Sequence, residues 1–324
     1  MDPSLCICLF TPAESENIMH TPLWSFDELL QSLSANGSGC SGKALVMYSS
    51  LWGAMITEPR GMLIPVEDHL VHRGDGVFET LLFEGGGIYN LPAHLKRLER
   101  SANRMGLTLP CSWEALTQIL EDCFEVADQE RALARLLLGR GPGGFSVDPA
   151  ESPVASLYVV VYRANAPFMD RHPEGAKAVL SKIPPKPGGL ATIKTCNYIP
   201  NALMKAEASA AGVDFALGVD AEGYLTESAT ENLAGVDREG NLILLPAAHH
   251  LAGTTLQRVA ELAASAGRKV VERPLRPSEL SELAEVLIVG TTAYVTALVE
   301  LDGKVLPRGP VQAELDAMLH ADIG

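Results

Sequence analysis

Positive charge is in short supply in this chain of 324 residues: 25 Lys and Arg stand against 40 Asp and Glu, a formal net charge of -15. Nucleic acid and anionic membranes both select clustered Lys and Arg, so neither is expected as a main partner. Cysteine is sparse and scattered. Cys6, Cys8, Cys40, Cys111, Cys123 and Cys196 form no CxxC pair and no Cys/His ligand pattern. A lone CxC does not make a soft-metal site, so reduced thiols and no metal are expected. Long apolar runs are missing too: LCICLF at 5–10 is short and lacks a basic flank, unlike a secretory or membrane segment, which points to a cytoplasmic protein. No low-complexity tract breaks the chain, and 47% apolar with 20% charged residues is ordinary globular usage.

The length is that of two moderate domains sharing a cleft. Residues 1–42 read as an extension, with a short helix at Trp24–Leu33 and a flexible joint in SANGSGCSG (34–42). A smaller α+β domain follows over 43–163. It opens on β-rich runs in KALVMYSS and around GMLIPVEDH, and Gly85-Gly86-Gly87 turns a hairpin in VFETLLFEGGGIYNL. Pro92 presets a helix whose apolar stripe is Leu95, Leu98, Ala102 and Met105, closed by Gly106. A second helix fits WEALTQILEDCFEVA, and ALARLLLG and SLYVVVYR read as buried strands around a Gly-rich loop at 139–144. Periodicity fails in RANAPFMDRHP, which places the linker at 164–173. The larger domain, 174–324, combines short strands with helices near 200–211, 255–266 and 277–283.

The residue that stands out in this half is Lys194. It is one of nine lysines, most of which are expected to be solvated cations, but in ATIKTCNYIPNALMKAEA a β-like segment delivers it to the start of a helix beside Asn197, Tyr198 and Asn201. An amine that attacks an aldehyde must be neutral, and a fixed, desolvated perch of this kind makes it so. In YLTESATENLAGV, Glu227 is suited to hold a proton on a ring nitrogen; Glu231 competes for that role and Asn232 is placed to tie the turn. LAGTTLQRVAEL sets Thr254 and Thr255 at the mouth of an amphipathic helix, which is a simple N-cap or a phosphate seat. VGTTAY, with Thr291 and Thr292, offers a second small-residue turn for phosphate or a substrate carboxylate. Arg97, read as lying opposite the apolar stripe of its helix, reaches for the same anion.

Together, HRGDGVFET, HLKRL, Lys194 with TCNY, GVDAEGYLTESATENLAGV, LAGTTLQRV and IVGTTA resemble, in order and spacing, the class IV aminotransferases. That family comprises pyridoxal-phosphate enzymes of fold type IV: branched-chain aminotransferases, D-amino acid transaminases and 4-amino-4-deoxychorismate lyases. The resemblance runs from Lys43 to Leu306. It implies a two-domain α+β fold, with pyridoxal 5'-phosphate in the interdomain cleft, and a homodimer that completes the cleft. The substrates it implies are an amino acid and a 2-oxo acid. Lys194 matches the lysine that carries the cofactor and later moves a proton, and Glu227 the acid at the pyridine nitrogen. Tyr198 matches the tyrosine near the phenolic oxygen; Arg97, Thr254, Thr255 and Thr291 match the phosphate set.

The wording of MYSSLWGAMITEP, IPVEDHLVHRGDGVFET, GPGGF and IKTCNYIPN is most similar to plant-type D-amino acid transaminases, so transamination with D-amino acids is the expected reaction. Lyase and branched-chain activities are the alternatives. Glu79 is similar to the transaminases, where the lyases carry Thr. GRGPGGFS lacks the Arg-x-His trap of bacterial D-enzymes, and Arg73 replaces the tyrosine of branched-chain enzymes. Arg73, Arg135, Arg140 and Thr292 are therefore the candidates for substrate recognition.

Overall fold

Alternate residues along three long strands separate the helix-covered face of one sheet from the face that lines a cavity. In this computed structural model, which describes residues 23–36, 42–247 and 250–324, the chain falls into two compact units, residues 1–39 and 40–324. The LCICLF run and Cys6, Cys8 and Cys40, about which the sequence raised expectations, lie outside the described residues. In the first unit α1 (Phe26–Asn36) starts later than Trp24 because Ser25 and Glu28 cap each other: the Ser25 N–H donates to Glu28 Oε2 at 2.7 Å and the Glu28 N–H to Ser25 Oγ at 3.3 Å.

The second unit contains two sheets. The first joins β1 (Ala44–Ser49), β2 (Ala54–Ile56), β3 (Gly76–Glu84), β4 (Gly87–Ile88), β5 (Ala132–Gly139) and β6 (Ser156–Arg163) in the antiparallel order β2-β1-β6-β5-β3-β4. Where GMLIPVEDH was expected to extend this meander, the chain makes a 3-10 turn at Pro59–Gly61 and then α2 (His69–Arg73). Pro59 and Pro65 remove ladder donors, and the Asp68 carboxylate accepts from the Leu70 N–H at 2.9 Å to start the helix. Helices α3 (Leu91–Met105) and α4 (Trp113–Ala127) bury Leu98, Leu116, Leu120 and Phe124 against Leu81, Leu136, Leu138 and Val159 of the sheet. Residues one step out of phase, Phe78 and Thr80 on β3, Arg135 on β5 and Tyr162 on β6, line a cavity on the other face.

A short helix, α5 (Phe168–Arg171), occupies the stretch read as linker. The second sheet comprises β7 (Ala176–Leu180), β8 (Phe215–Leu217), β9 (Asn232–Val236), β10 (Leu242–Leu244), β11 (Val270–Glu272), β12 (Glu285–Gly290), β13 (Tyr294–Leu301) and β14 (Lys304–Val305). Its order is β11-β10-β9-β12-β13-β7-β8, with β14 on β13. Helix α6 (Ile199–Ala210) packs beside β8, and α7 (Thr254–Ser265) buries Leu256, Val259 and Ala263 against Ala234, Val236, Leu287 and Val289. The segment expected as a helix near 277–283 is a 3-10 helix, Pro277–Glu282.

A C-terminal helix, α8 (Val311–Ile323), was not legible in the sequence. Its start is capped from a distant strand: Glu285 on β12 accepts the N–H groups of Val311 and Gln312 at 2.7 and 2.8 Å. No local capping residue announces it.

Candidate active site

The segment leading to α6 is stitched to the start of β3. The Phe78 N–H donates to the Lys194 carbonyl at 2.9 Å and the Cys196 N–H to the Gly76 carbonyl at 2.8 Å. Lys194 is thereby fixed with its ammonium 4.6 Å from the Phe78 ring centroid and 6.0 Å from that of Tyr198. It is buried, and burial, with the Arg97 charge adding to it, pulls its pKa down to about 8 against the opposing fields of Glu79 and Glu227. A useful fraction of neutral amine therefore exists near neutral pH, as the sequence reading of Lys194 requires.

Arg97 is not on the outer face of α3. It shares the inner face with His94, Leu98 and Ser101, because this helix is buried over more than its apolar stripe. Its Nε and Nη2 donate to the two Glu79 oxygens at 2.8 and 2.7 Å, and Nη1 donates to the Ala252 carbonyl at 3.3 Å. Burial alone would raise the Glu79 carboxyl; the Arg97 charge and the bonds from Arg97 and His94 outweigh it and bring it down to about 2. His94 Nδ1 lies 2.8 Å from Glu79 Oε2, and burial pushes the imidazole toward its neutral form. A neutral His94 facing a carboxylate carries its proton on Nδ1, so Nε2 accepts from the Thr254 hydroxyl at 3.2 Å. The sequence marks Glu79 only as a transaminase-like residue and does not point to His94, although the His94-x-x-Arg97 spacing, which sets those two side chains on one helical face, is a readable signal.

Thr254 and Thr255 open α7, with Gly253 as N-cap; the simple Thr-cap reading does not hold. A Cβ on Gly253 would sit 1.8 Å from Asn232 Oδ1, so glycine permits the close approach of this helix start to β9. Asn232 ties the turn by donating Nδ2–H to the Leu251 carbonyl at 2.8 Å. Thr255 Oγ1 and Thr291 Oγ1 lie 3.5 Å apart, so two hydroxyls and uncapped helix N–H groups converge as an anion seat.

Of the two acids in TESATEN, Glu231 is engaged by the hydroxyls of Ser228, at 2.5 Å, and Thr230. The Glu227 carboxylate accepts one bond among the described residues, from the Leu251 N–H at 3.2 Å. Burial raises its carboxyl pKa, opposed by His250, Lys194 and Lys186. Tyr198 stacks edge-on against Phe78 at 5.0 Å, and burial keeps its phenol protonated and able to donate.

These groups meet in a cavity of about 130 Å³ lined by Lys194, Tyr198, Glu227, Thr254, Thr255, Thr291, Thr292, Arg97 and Arg135. Arg73 and Arg140 are not brought to it. Arg140 is bound to both Asp75 oxygens at 3.0 and 3.1 Å and to the Gly106 and Met105 carbonyls. Arg73 donates to the carbonyls of His72 and Phe145. Among the described residues no group of three or more His, Cys, Asp or Glu is arranged to hold a metal ion.

The model of the amino-transferase class IV family matches residues 76–301, which contain every residue of this cavity. The chain belongs to the class IV aminotransferases. It is 30% identical over 98% of its length to a D-amino-acid transaminase, chloroplastic, of Arabidopsis thaliana, covering 86% of that protein. It is also 30% identical to the bifunctional aminodeoxychorismate lyase / D-amino acid transaminase of Mycobacterium tuberculosis, over 83% of this chain and 96% of that one. Among solved structures, the branched-chain aminotransferase of the thermophilic archaeon Thermoproteus uzoniensis, with norvaline, superposes with a TM-score of 0.79 at 25% identity, covering 87% of this chain and 95% of that one. The architecture is thus the α+β fold type IV. Enzymes of this family work with pyridoxal 5'-phosphate, and the residues present fit it: a buried amine of lowered pKa, a buried carboxylate with an open oxygen, and a hydroxyl-lined helix start.

Proposed function

We propose that this enzyme is a pyridoxal-phosphate transaminase that moves an amino group between a D-amino acid and a 2-oxo acid. The observation that carries this is the convergence of Lys194, Glu227 and the Thr254–Thr255 helix start in one cavity with Arg135. The D-amino acid preference is supported by the relatives of Arabidopsis thaliana and Mycobacterium tuberculosis. The smaller lobe is 43–163 and the larger 174–324, with 164–173 as their link.

When bound, the cofactor supplies an electron sink for the bond pair left at the substrate α-carbon. Lys194 would hold it covalently, and its Nζ, freed when the substrate amine takes that place, would take and return the α-proton. Glu227 fixes a proton on the pyridine nitrogen, while Tyr198 donates toward the phenolic oxygen. Thr255, Thr291 and the first N–H groups of α7 hold the phosphate. Arg97 adds positive charge there from its seat on Glu79. Arg135, without an ion pair among the described residues, takes the substrate carboxylate, with Thr292 beside it.

One observation favours a second reading, the 4-amino-4-deoxychorismate lyase reaction. Strand alternation turns Glu79 toward α3 and Thr80 into the cavity, so the carboxylate at 79 does not separate the two chemistries and a hydroxyl at 80 faces the substrate. Branched-chain L-amino acids are the third option.

The apolar side chains of Val66, Val71, Phe145, Val147 and Val154 are each exposed, and a homodimer in which a second copy covers them fits that exposure. The described cysteines Cys111, Cys123 and Cys196 are free thiols, suited to a reducing cytoplasm, and among the described residues no helix is long and apolar enough to cross a membrane.

The deciding experiment is a panel on purified holoenzyme: D-alanine with 2-oxoglutarate, L-leucine with 2-oxoglutarate, and aminodeoxychorismate. D-alanine-dependent formation of pyruvate is expected. Release of 4-aminobenzoate without that transamination would replace the proposal by the lyase, and turnover of L-leucine alone by the branched-chain reaction.

A further inference from the structure

His250 lies between β10 and α7, 3% exposed, with each ring nitrogen against a carbonyl: Nε2 is 3.0 Å from the Leu245 oxygen and Nδ1 2.9 Å from the Leu251 oxygen. Carbonyl oxygens only accept, and a neutral imidazole has one N–H, so a neutral ring would set one lone pair against a carbonyl lone pair. The Asn232 amide nitrogen lies farther from Nδ1, at 3.3 Å, and makes its shorter contact, 2.8 Å, to the Leu251 carbonyl, so that carbonyl is the nearer partner of Nδ1. Both contacts are favourable together when both nitrogens carry protons.

A buried cation requires a counter-charge. The same Leu251 whose carbonyl faces His250 donates its N–H to Glu227, so one residue joins the two groups. Besides His250, the cations whose fields act most on Glu227 are Lys194 and Lys186. Lys194 is committed to the covalent link with the cofactor, and Lys186 stands over the Tyr198 ring at 4.2 Å. Neither is a fixed counter-charge behind the carboxylate.

We propose that His250 is held as an imidazolium and acts as a positioning residue, the standing counter-charge that keeps Glu227 ionised inside the cavity. Its catalytic use rests on the role given above to Glu227; its charge state does not.

The test uses protein labelled with ¹⁵N-histidine, with and without pyridoxal phosphate, in long-range ¹H–¹⁵N spectra from about pH 6 to about pH 9, through the range where an ordinary histidine loses its proton. The His250 signals are assigned by their loss in His250→Gln and, should that variant not fold, by through-space contacts to Leu245 and Leu251 in the unsubstituted protein. Two protonated ring nitrogens that persist past neutral pH support the proposal. A single unprotonated nitrogen at neutral pH overturns it. In the holoprotein, His250→Gln is expected to shift the pH midpoint of the cofactor absorbance by about one pH unit, whereas an unshifted midpoint in a folded variant overturns the counter-charge role. The spectrum of the cofactor-free protein is independent of the transaminase reading: imidazolium signals in a protein that binds no cofactor would support the charge state and sink that reading alone.

Discussion

Arg97 on α3 and Arg135 on β5 reach the same cavity and are used in opposite ways. Arg97 is ion-paired to Glu79 through two short bonds in a buried setting. Arg135 has the Phe78 ring at 4.8 Å and the Tyr162 hydroxyl at 3.5 Å. A guanidinium matched to a carboxylate stabilises the fold and shapes the site; one stacked on an aromatic face, with its fork open, is prepared to take a carboxylate from outside. Arg140 repeats the Arg97 pattern on Asp75, away from the cavity.

The comparison breaks most visibly at Glu79. Glu79→Ala strands a buried guanidinium and is expected to cost about 3–5 kcal/mol of stability, read from denaturant midpoints. The pH dependence follows the same pair. The folded carboxyl lies at about 2, below its ordinary 4.5, so its stabilisation is complete above the ordinary value and is lost as pH falls toward 2. A Glu79→Gln variant should show a flatter stability profile over that interval. Arg135→Ala is expected to lower kcat/KM about 100-fold, roughly 3 kcal/mol, with the unfolding midpoint little changed. A loss of stability without loss of kcat/KM would reverse the assignment of the two arginines. Arg140→Ala should cost about 1 kcal/mol of stability and leave kcat/KM intact.

Local chemistry explains what could be read from the sequence. Lys194, Glu227, Thr254, Thr255 and Thr291 sit in turns and helix starts whose roles depend on neighbours in the chain, and all five line the cavity. The hairpin at Gly85-Gly86 and the helix closed by Gly106 were legible for the same reason: these glycines adopt φ of 64°, 82° and 62°. What escaped depends on partners far along the chain. Arg97 is turned inward by Glu79, 18 residues earlier, and α8 is capped by Glu285, 26 residues before it. Of the three arginines at 73, 135 and 140, strand phase on β5 alone selects Arg135, and phase matters only once the cavity face of the sheet is known.

Most direct is the position of the reactive amine. Purified protein treated with pyridoxal phosphate and then borohydride should carry the reduced label on Lys194 alone, located by peptide mapping, with the capture rate rising through a midpoint near the amine's pKa of about 8. Labelling of Lys186 in place of Lys194, or a Lys194→Ala protein that still forms the reducible adduct, would contradict it.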